Sequence, residues 1–324
     1  MIKVKRTFKL MAYILCAGIL FTQMIIPASA DSIFDEVYTN YYYKHSFVNG
    51  QTAQYCLSSD DSLEGYVEVG IDSNSADNPG LIGNAYMDLT GLTLEEFSEQ
   101  IDFVDSTLEL TENNSCDSRV VWLVCNYPTG QYACTGFIMQ DWGGKSCIGT
   151  VAHGVYAGKY PDSIWVFNQD SSGKTSYICN IEAMHIPKQH LTSANTNVDY
   201  AMLTVDCGFS LSEEYGHFYL ASIGENPSNT YVTIYALLAD GSDNWVMMYT
   251  DSGILVESND GKYYYDVQTQ SGTSGSPVYI TVDGTDFVVA IHSGLGNDSQ
   301  GIPRGVGAYT KWSVTRFLAF NPFV

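Results

Sequence analysis

The sequence predicts an all-β protein, a sandwich or a barrel. Two observations carry this reading. From Arg119 onward, short β-branched and aromatic runs recur, beginning with Val120-Val121-Trp122-Leu123-Val124-Cys125. Turn signals such as Pro128-Thr129-Gly130 and Asp141-Trp142-Gly143-Gly144-Lys145 separate them. Many short strands at close spacing, each bounded by Gly, Pro, Asn or Asp, mark sheets packed face to face or closed on themselves. With 324 residues, 45% hydrophobic and 13% aromatic, the chain can fill one large core or two ordinary ones.

Taken in order, the first residues read as a targeting segment. Lys3, Lys5, Arg6 and Lys9 make a basic start, residues 10–26 are largely apolar, and Ala28-Ser29-Ala30 fits a cleavage site before Asp31. A signal peptide over 1–30 is therefore expected, and with it a secreted, extracellular protein that forms no stable membrane association. Leu15 before Cys16 does not fit a lipoprotein signal.

Residues 31–115 differ from the remainder of the chain. Lys44 is the only Lys or Arg among many acids, and 72–80 is loop material. Residues 93–101 read as a helix, with Thr93 as N-cap and Glu96 completing a capping box. The segment is expected to be a pro-region, removed near residues 95–118, leaving a domain over 116–324.

In that domain further strands are expected at 131–139, 147–151, 164–168, 176–181, 198–205, 231–238, 245–250, 263–267, 278–282, 287–291 and 305–310. The period changes over 311–320, where Trp312, Phe317 and Leu318 can share a face, so a closing helix is expected.

The formal charge of −22, from 14 basic and 36 acidic residues, excludes binding to nucleic acid or an anionic membrane through a basic patch. Beyond the signal peptide there are seven cysteines, an odd set. Cys56 lies in the 31–115 segment, and six remain once that segment is removed. Export makes disulfides possible. Cys125 and Cys134 flank the Pro128-Thr129-Gly130 turn, and a hairpin centred there would set them face to face as a disulfide. No Cys-x-x-Cys pair indicates zinc, no loop shows calcium-ligand spacing, and neither metal nor cofactor is expected.

Chemistry concentrates in three stretches. Gly272-Thr273-Ser274-Gly275-Ser276-Pro277-Val278 sets a Ser in a tight Gly-rich turn before a strand. Such a turn can expose a hydroxyl and converge backbone N–H groups beside it, as an acyl-transfer nucleophile requires. His153, in Gly149-Thr150-Val151-Ala152-His153-Gly154, follows a strand and is a candidate base. Asp199, in Asn197-Val198-Asp199-Tyr200-Ala201, enters an apolar run, where a buried carboxylate must find a partner such as an imidazole N–H.

In the order His, Asp, Ser these motifs resemble the chymotrypsin-like serine proteases. Gly-Thr-Ser-Gly-Ser-Pro-Val is similar to the nucleophile motif of the bacterial glutamyl endopeptidase branch, as are Thr135-Gly136-Phe137 and Ala290-Ile291-His292-Ser293-Gly294. The resemblance covers roughly residues 119–320. It implies two six-stranded antiparallel β-barrels with a C-terminal helix, and a monomer that acts on protein or peptide substrates. It implies Ser274 as nucleophile, His153 as base, Asp199 as its orienting carboxylate, and the N–H groups of Gly272 and Ser274 as an oxyanion hole. His292 and Thr269 would line the pocket for the residue before the scissile bond, giving cleavage after Glu and more weakly after Asp, with help from the amino terminus of the mature chain. Arg304 is the alternative cation. Thr273 replaces the acid that salt-bridges a new N-terminus in the animal enzymes, which excludes that activation route. Gly154 replaces the Cys that often follows the His. The alternative function is a catalytically inactive barrel serving as a secreted binding or adhesion protein.

Overall fold

The computed structural model describes residues 41–56, 67–68, 85–87, 116–142, 144–171, 173–193, 198–223, 230–239, 246–259, 261–269, 271–282 and 284–309. All belong to one compact unit, Asn40–Val324. The signal peptide, the helix expected at 93–101 and the closing helix expected at 311–320 lie outside the described residues.

In chain order the strands are β1 (Tyr41–Ser46), β2 (Thr52–Cys56), β3 (Val67–Glu68), β4 (Ala85–Met87), β5 (Val120–Tyr127), β6 (Gly130–Trp142), β7 (Lys145–Thr150), β8 (Ser163–Gln169), β9 (Thr175–Pro187) and β10 (Ala201–Val205). They continue with β11 (Tyr219–Ser222), β12 (Tyr231–Ala239), β13 (Val246–Asn259), β14 (Lys262–Tyr265), β15 (Pro277–Val282), β16 (Thr285–Asn297) and β17 (Pro303–Tyr309). Among the described residues three short helices interrupt them: α1 (Ala152–Val155), α2 (Lys188–Ser193) and α3 (Leu211–Tyr215).

Two closed barrels result. The first runs β10-β7-β6-β5-β8-β9 and closes where β10 pairs with β9. The second runs β15-β12-β13-β14-β17-β16 and closes where β15 pairs with β16. Each has six strands paired antiparallel, and closure removes the open edges that a flat sheet would leave.

The unbroken apolar run of β5 follows from burial on both faces. Val121, Leu123 and Cys125 join Ile138, Ile148, Ile164, Val166 and Leu203 in a cluster drawn from the first barrel. Val120, Trp122 and Val124 join Phe137, Phe218, Leu237, Tyr279 and Ile291 in a cluster drawn from both barrels. A third cluster, with Val232, Ile234, Leu255, Tyr263, Tyr265 and Val289, belongs to the second. β13 runs through Asp251-Ser252-Gly253, which reads as a turn in sequence, because the ladder to β12 continues across it and Thr233 and Ser252 hydroxyls meet at 2.9 Å.

The segment read as a pro-region supplies strands to both sheets. β1 pairs with β9, β4 with β6, and β3 lies parallel to β11. Tyr42 of β1 is fully buried in the shared cluster.

The β5–β6 hairpin corrects the disulfide expectation. Tyr127 pairs with Gly130, so only Pro128 and Thr129 form the loop. The hairpin centre therefore lies one residue earlier than expected. Leu123 faces Cys134, Cys125 faces Tyr132, and the two thiols become diagonal neighbours. Both are free thiols, as are Cys116, Cys179 and Cys207.

Two polar connections add to the shared cluster in joining the barrels among the described residues. Arg119, at the root of β5, donates to Asp117 at 2.6 Å and to Asp286 of β16 at 2.7 Å while its guanidinium lies over the Phe218 ring. Thr135 of β6 is fully buried. Its N–H donates to the Ser274 carbonyl at 2.9 Å, and its hydroxyl meets the Gly272 carbonyl at 3.0 Å and the Leu237 N–H at 3.2 Å. Thr135→Val keeps the shape and removes the hydroxyl from buried partners, and should destabilise the protein by about 1–3 kcal/mol. Urea unfolding of the purified variant checks this; an unchanged midpoint would show that the hydroxyl does not hold the barrels together.

Candidate active site

The first barrel supplies the imidazole and the carboxylate, the second the hydroxyl. β7 ends at Thr150, and the single turn α1 turns His153 back over the barrel end. Gly154 is required there by space: a Cβ would come within 2.9 Å of the Cys134 sulfur. Asp199 lies in the approach to β10 and is fully buried. Ser274 follows Gly272, at φ 94°, and precedes Gly275, at φ 91°. Gly275 is also a close approach, since a Cβ would collide with the Thr135 carbonyl and the Thr150 hydroxyl. The Gly-rich turn is thus the one the neighbouring barrel leaves room for.

These residues meet in one line. His153 donates from Nδ1 to Asp199 Oδ2 at 2.6 Å and from its backbone N–H to Oδ1 at 2.9 Å. His153 Nε2 lies 3.1 Å from Ser274 Oγ, which is also 3.4 Å from the Ser293 carbonyl. With Nδ1 donating, Nε2 is left to accept the hydroxyl proton. Ser276, the other Ser of the motif, is fully buried, and its hydroxyl has no partner among the described residues.

Burial disfavours charge on His153, but the Asp199 charge and hydrogen bond outweigh it and raise the pKa. Burial would likewise raise Asp199. The His153 charge and hydrogen bond, the nearby His190 and the His153 N–H together hold it well below the usual carboxylate range. The carboxylate therefore stays anionic wherever the imidazole titrates.

Neither the Gly272 nor the Ser274 N–H is spent on another group among the described residues, whereas the Gly275 N–H donates to the His292 carbonyl at 2.8 Å. His292, on β16, is fully buried and hydrogen-bonded both ways to the nucleophile turn, its own N–H donating to the Ser276 carbonyl at 3.0 Å. Burial and the nearby His153 hold its pKa down to about 3, so it is neutral. The Tyr265 hydroxyl lies 2.6 Å from His292 Nδ1. Burial keeps that phenol protonated and able to donate to Nδ1, and in the tautomer that accepts it the imidazole proton sits on Nε2. His292 Nε2 has no partner among the described residues.

Thr269 is half-buried in the segment leaving β14. The Tyr249 hydroxyl donates to the carbonyl of neighbouring Gln268, and the Gln268 N–H donates to Asp251, both at 2.7 Å. Arg304 is occupied by Asp266 at 3.0 Å and Asp298 at 3.1 Å. Sequence reasoning quoted Thr135 within the Thr135-Gly136-Phe137 motif without its bridging role, and missed Tyr265 and His190, because each acts through a partner distant in sequence. Of the two missed, the run Tyr263-Tyr264-Tyr265 beside a strand signal hinted at Tyr265. Among the described residues no group of three or more His, Cys, Asp or Glu is arranged to hold a metal ion.

No protein-family model matches the chain, and no curated protein sequence matches it. Solved structures do. A Glu endopeptidase in complex with MPD superposes with a TM-score of 0.51 at 19% identity, over 64% of this chain and 92% of that one. The thermostable serine protease AL20 from an extremophilic microorganism gives 0.51 at 13% identity, over 63% and 96%. The protease Anisep from Arthrobacter nicotinovorans gives 0.51 at 16% identity, again over 63% and 96%. With its two closed six-stranded antiparallel barrels, the chain has the fold of the chymotrypsin-like serine proteases.

Proposed function

We propose that this protein is a secreted serine endopeptidase that cleaves peptide bonds through an acyl-enzyme, after Glu and more weakly after Asp. The observation that carries the reading is the unbroken line Asp199–His153–Ser274 across the barrel junction. Ser274 Oγ attacks the scissile carbonyl while His153 Nε2 takes its proton. The imidazolium so formed is stabilised by Asp199 and returns the proton to the leaving amine. Water then repeats the sequence on the ester and frees Ser274. The Gly272 and Ser274 N–H groups stabilise the oxyanion, and losing one such donor costs about 3 kcal/mol in the transition state. The inactive-barrel alternative is not favoured, because all three side chains are present and hydrogen-bonded in order.

His292 supports the acidic preference. Its Nε2 has no partner among the described residues and is buried, and with its proton there it would supply the donor that an entering substrate carboxylate needs. Thr269 adds a hydroxyl to the pocket. Arg304 is already committed to two carboxylates, which favours His292 over it. Residues 31–115 act as a pro-region in this reading, so activation must separate β1 from β9 and β4 from β6. The mature protein acts as a monomer on protein or peptide substrates.

Ser274→Ala, His153→Ala and Asp199→Asn should each lower kcat on a Glu-containing peptide by about 10^4 or more, with the circular dichroism spectrum unchanged. Near-normal turnover in Ser274→Ala would refute the mechanism. The base must be neutral to work and its pKa is raised, so kcat/KM should climb with pH through a single midpoint above the ordinary imidazole value of about 6.5. A profile already flat from pH ~5 upward would contradict this. His292→Ala should lose most hydrolysis after Glu while Ser274 still reacts with an active-site acylating agent. A peptide-library digest dominated by cleavage after Lys, Arg or large apolar residues would overturn the specificity.

A further inference from the structure

His190, on α2, approaches the carboxylate from a direction the mechanism does not use. Its side chain is 7% exposed, and its Nδ1 lies 3.8 Å from Asp199 Oδ1. That oxygen already accepts the His153 backbone N–H, while Oδ2 accepts the His153 ring. Two imidazoles therefore flank one fully buried carboxylate. A carboxylate oxygen has two lone-pair sites, and one buried away from water gains from every N–H aimed at it.

We propose that His190 is a positioning residue that presents its imidazole Nδ1–H to Asp199 Oδ1, fixing the carboxylate's orientation and moderating its pull on His153. At 3.8 Å the contact is electrostatic, and an approach of about 1 Å makes it a hydrogen bond. In a poorly solvated site an N–H dipole at this range is felt strongly. The sense of the effect follows from the geometry. Asp199 raises the proton affinity of His153, and a donor on Oδ1 takes a share of that charge. Removing the donor should make His153 more basic and leave less free base near neutral pH.

The other groups around the pair leave this role open to His190. Cys134 of β6 acts on His153, and His292 of β16 is neutral. α2 packs on β1 and β9, which carry Lys44 and His45, and Glu182 and His185. Burial pushes His45 and His185 toward the neutral form, and Lys44 interacts with Glu182.

The catalytic consequence rests on the acyl-transfer reading, whereas the contact and its effect on His153 can be read without turnover. Histidine-selective 15N labelling of the full chain in a Ser274→Ala background reports both the proton positions and the His153 midpoint. In the otherwise unmodified protein, His190 should carry its proton on Nδ1 over about pH 5–8; a bare Nδ1 with the proton on Nε2 overturns the proposal. His190→Leu should raise the His153 midpoint by about half a unit or more. His190→Asn, which restores an N–H in the place of Nδ1, should return it to within about 0.2 unit. An unmoved or lowered midpoint in His190→Leu, or an Asn variant shifted as far as the Leu variant, also overturns it. With Ser274 restored, the acid limb of kcat/KM should move upward with the NMR midpoint. If no peptide is cleaved at all, the peptidase reading falls and the NMR result stands separately.

Discussion

Everything at the site depends on how Thr135 fastens the second barrel to the first. Its backbone N–H holds the Ser274 carbonyl, and its hydroxyl holds Gly272 and Leu237. Its own carbonyl accepts the Thr150 hydroxyl at 2.7 Å, at the end of the strand that leads to His153. One residue of β6 thus ties together the nucleophile turn, the strand before the imidazole and β12 of the other barrel. The same carbonyl occupies the space that a Cβ at position 275 would need. The 3.1 Å between Nε2 and Oγ is therefore a consequence of barrel docking, set by buried hydrogen bonds that have no water to replace them.

Electrostatics divides the histidines near the junction into two kinds. His153 faces an anion and is made more basic, while His292 is buried against a phenol hydroxyl and kept neutral. A protonated His292 beside a protonated His153 would place two cations in one poorly solvated site. In the proposed mechanism, neutrality lets His292 serve as a hydrogen-bond donor without opposing an imidazolium at His153.

The twelve strands that close the barrels were legible because burial on one or both faces writes itself into sequence, as in residues 120–125 and 201–205. Strand ends were not. β13 and β16 extend past Gly and Ser residues that read as turns, because their ladder partners continue alongside. β1–β4 and β11 were missed, since short strands added at an edge need little apolar periodicity. His153, Asp199 and Ser274 could be read from local motifs. The side chains that orient them could not: Thr135, Tyr265 and His190 look ordinary in sequence and gain meaning only from what lies opposite. The Cys125–Cys134 expectation failed because the hairpin centre lies one residue earlier, which shifts the pairing by two residues, and sequence symmetry about a turn does not fix that.

The central claim is that Ser274 is activated by its place in this line. The most direct measurement is labelling of the purified protein, after any processing, with a fluorophosphonate, followed by peptide mapping of the adduct. Stoichiometric phosphonylation at Ser274, abolished in His153→Ala, is the expected result. Modification at Ser276 or scattered over other hydroxyls, or labelling that persists undiminished without His153, would contradict it.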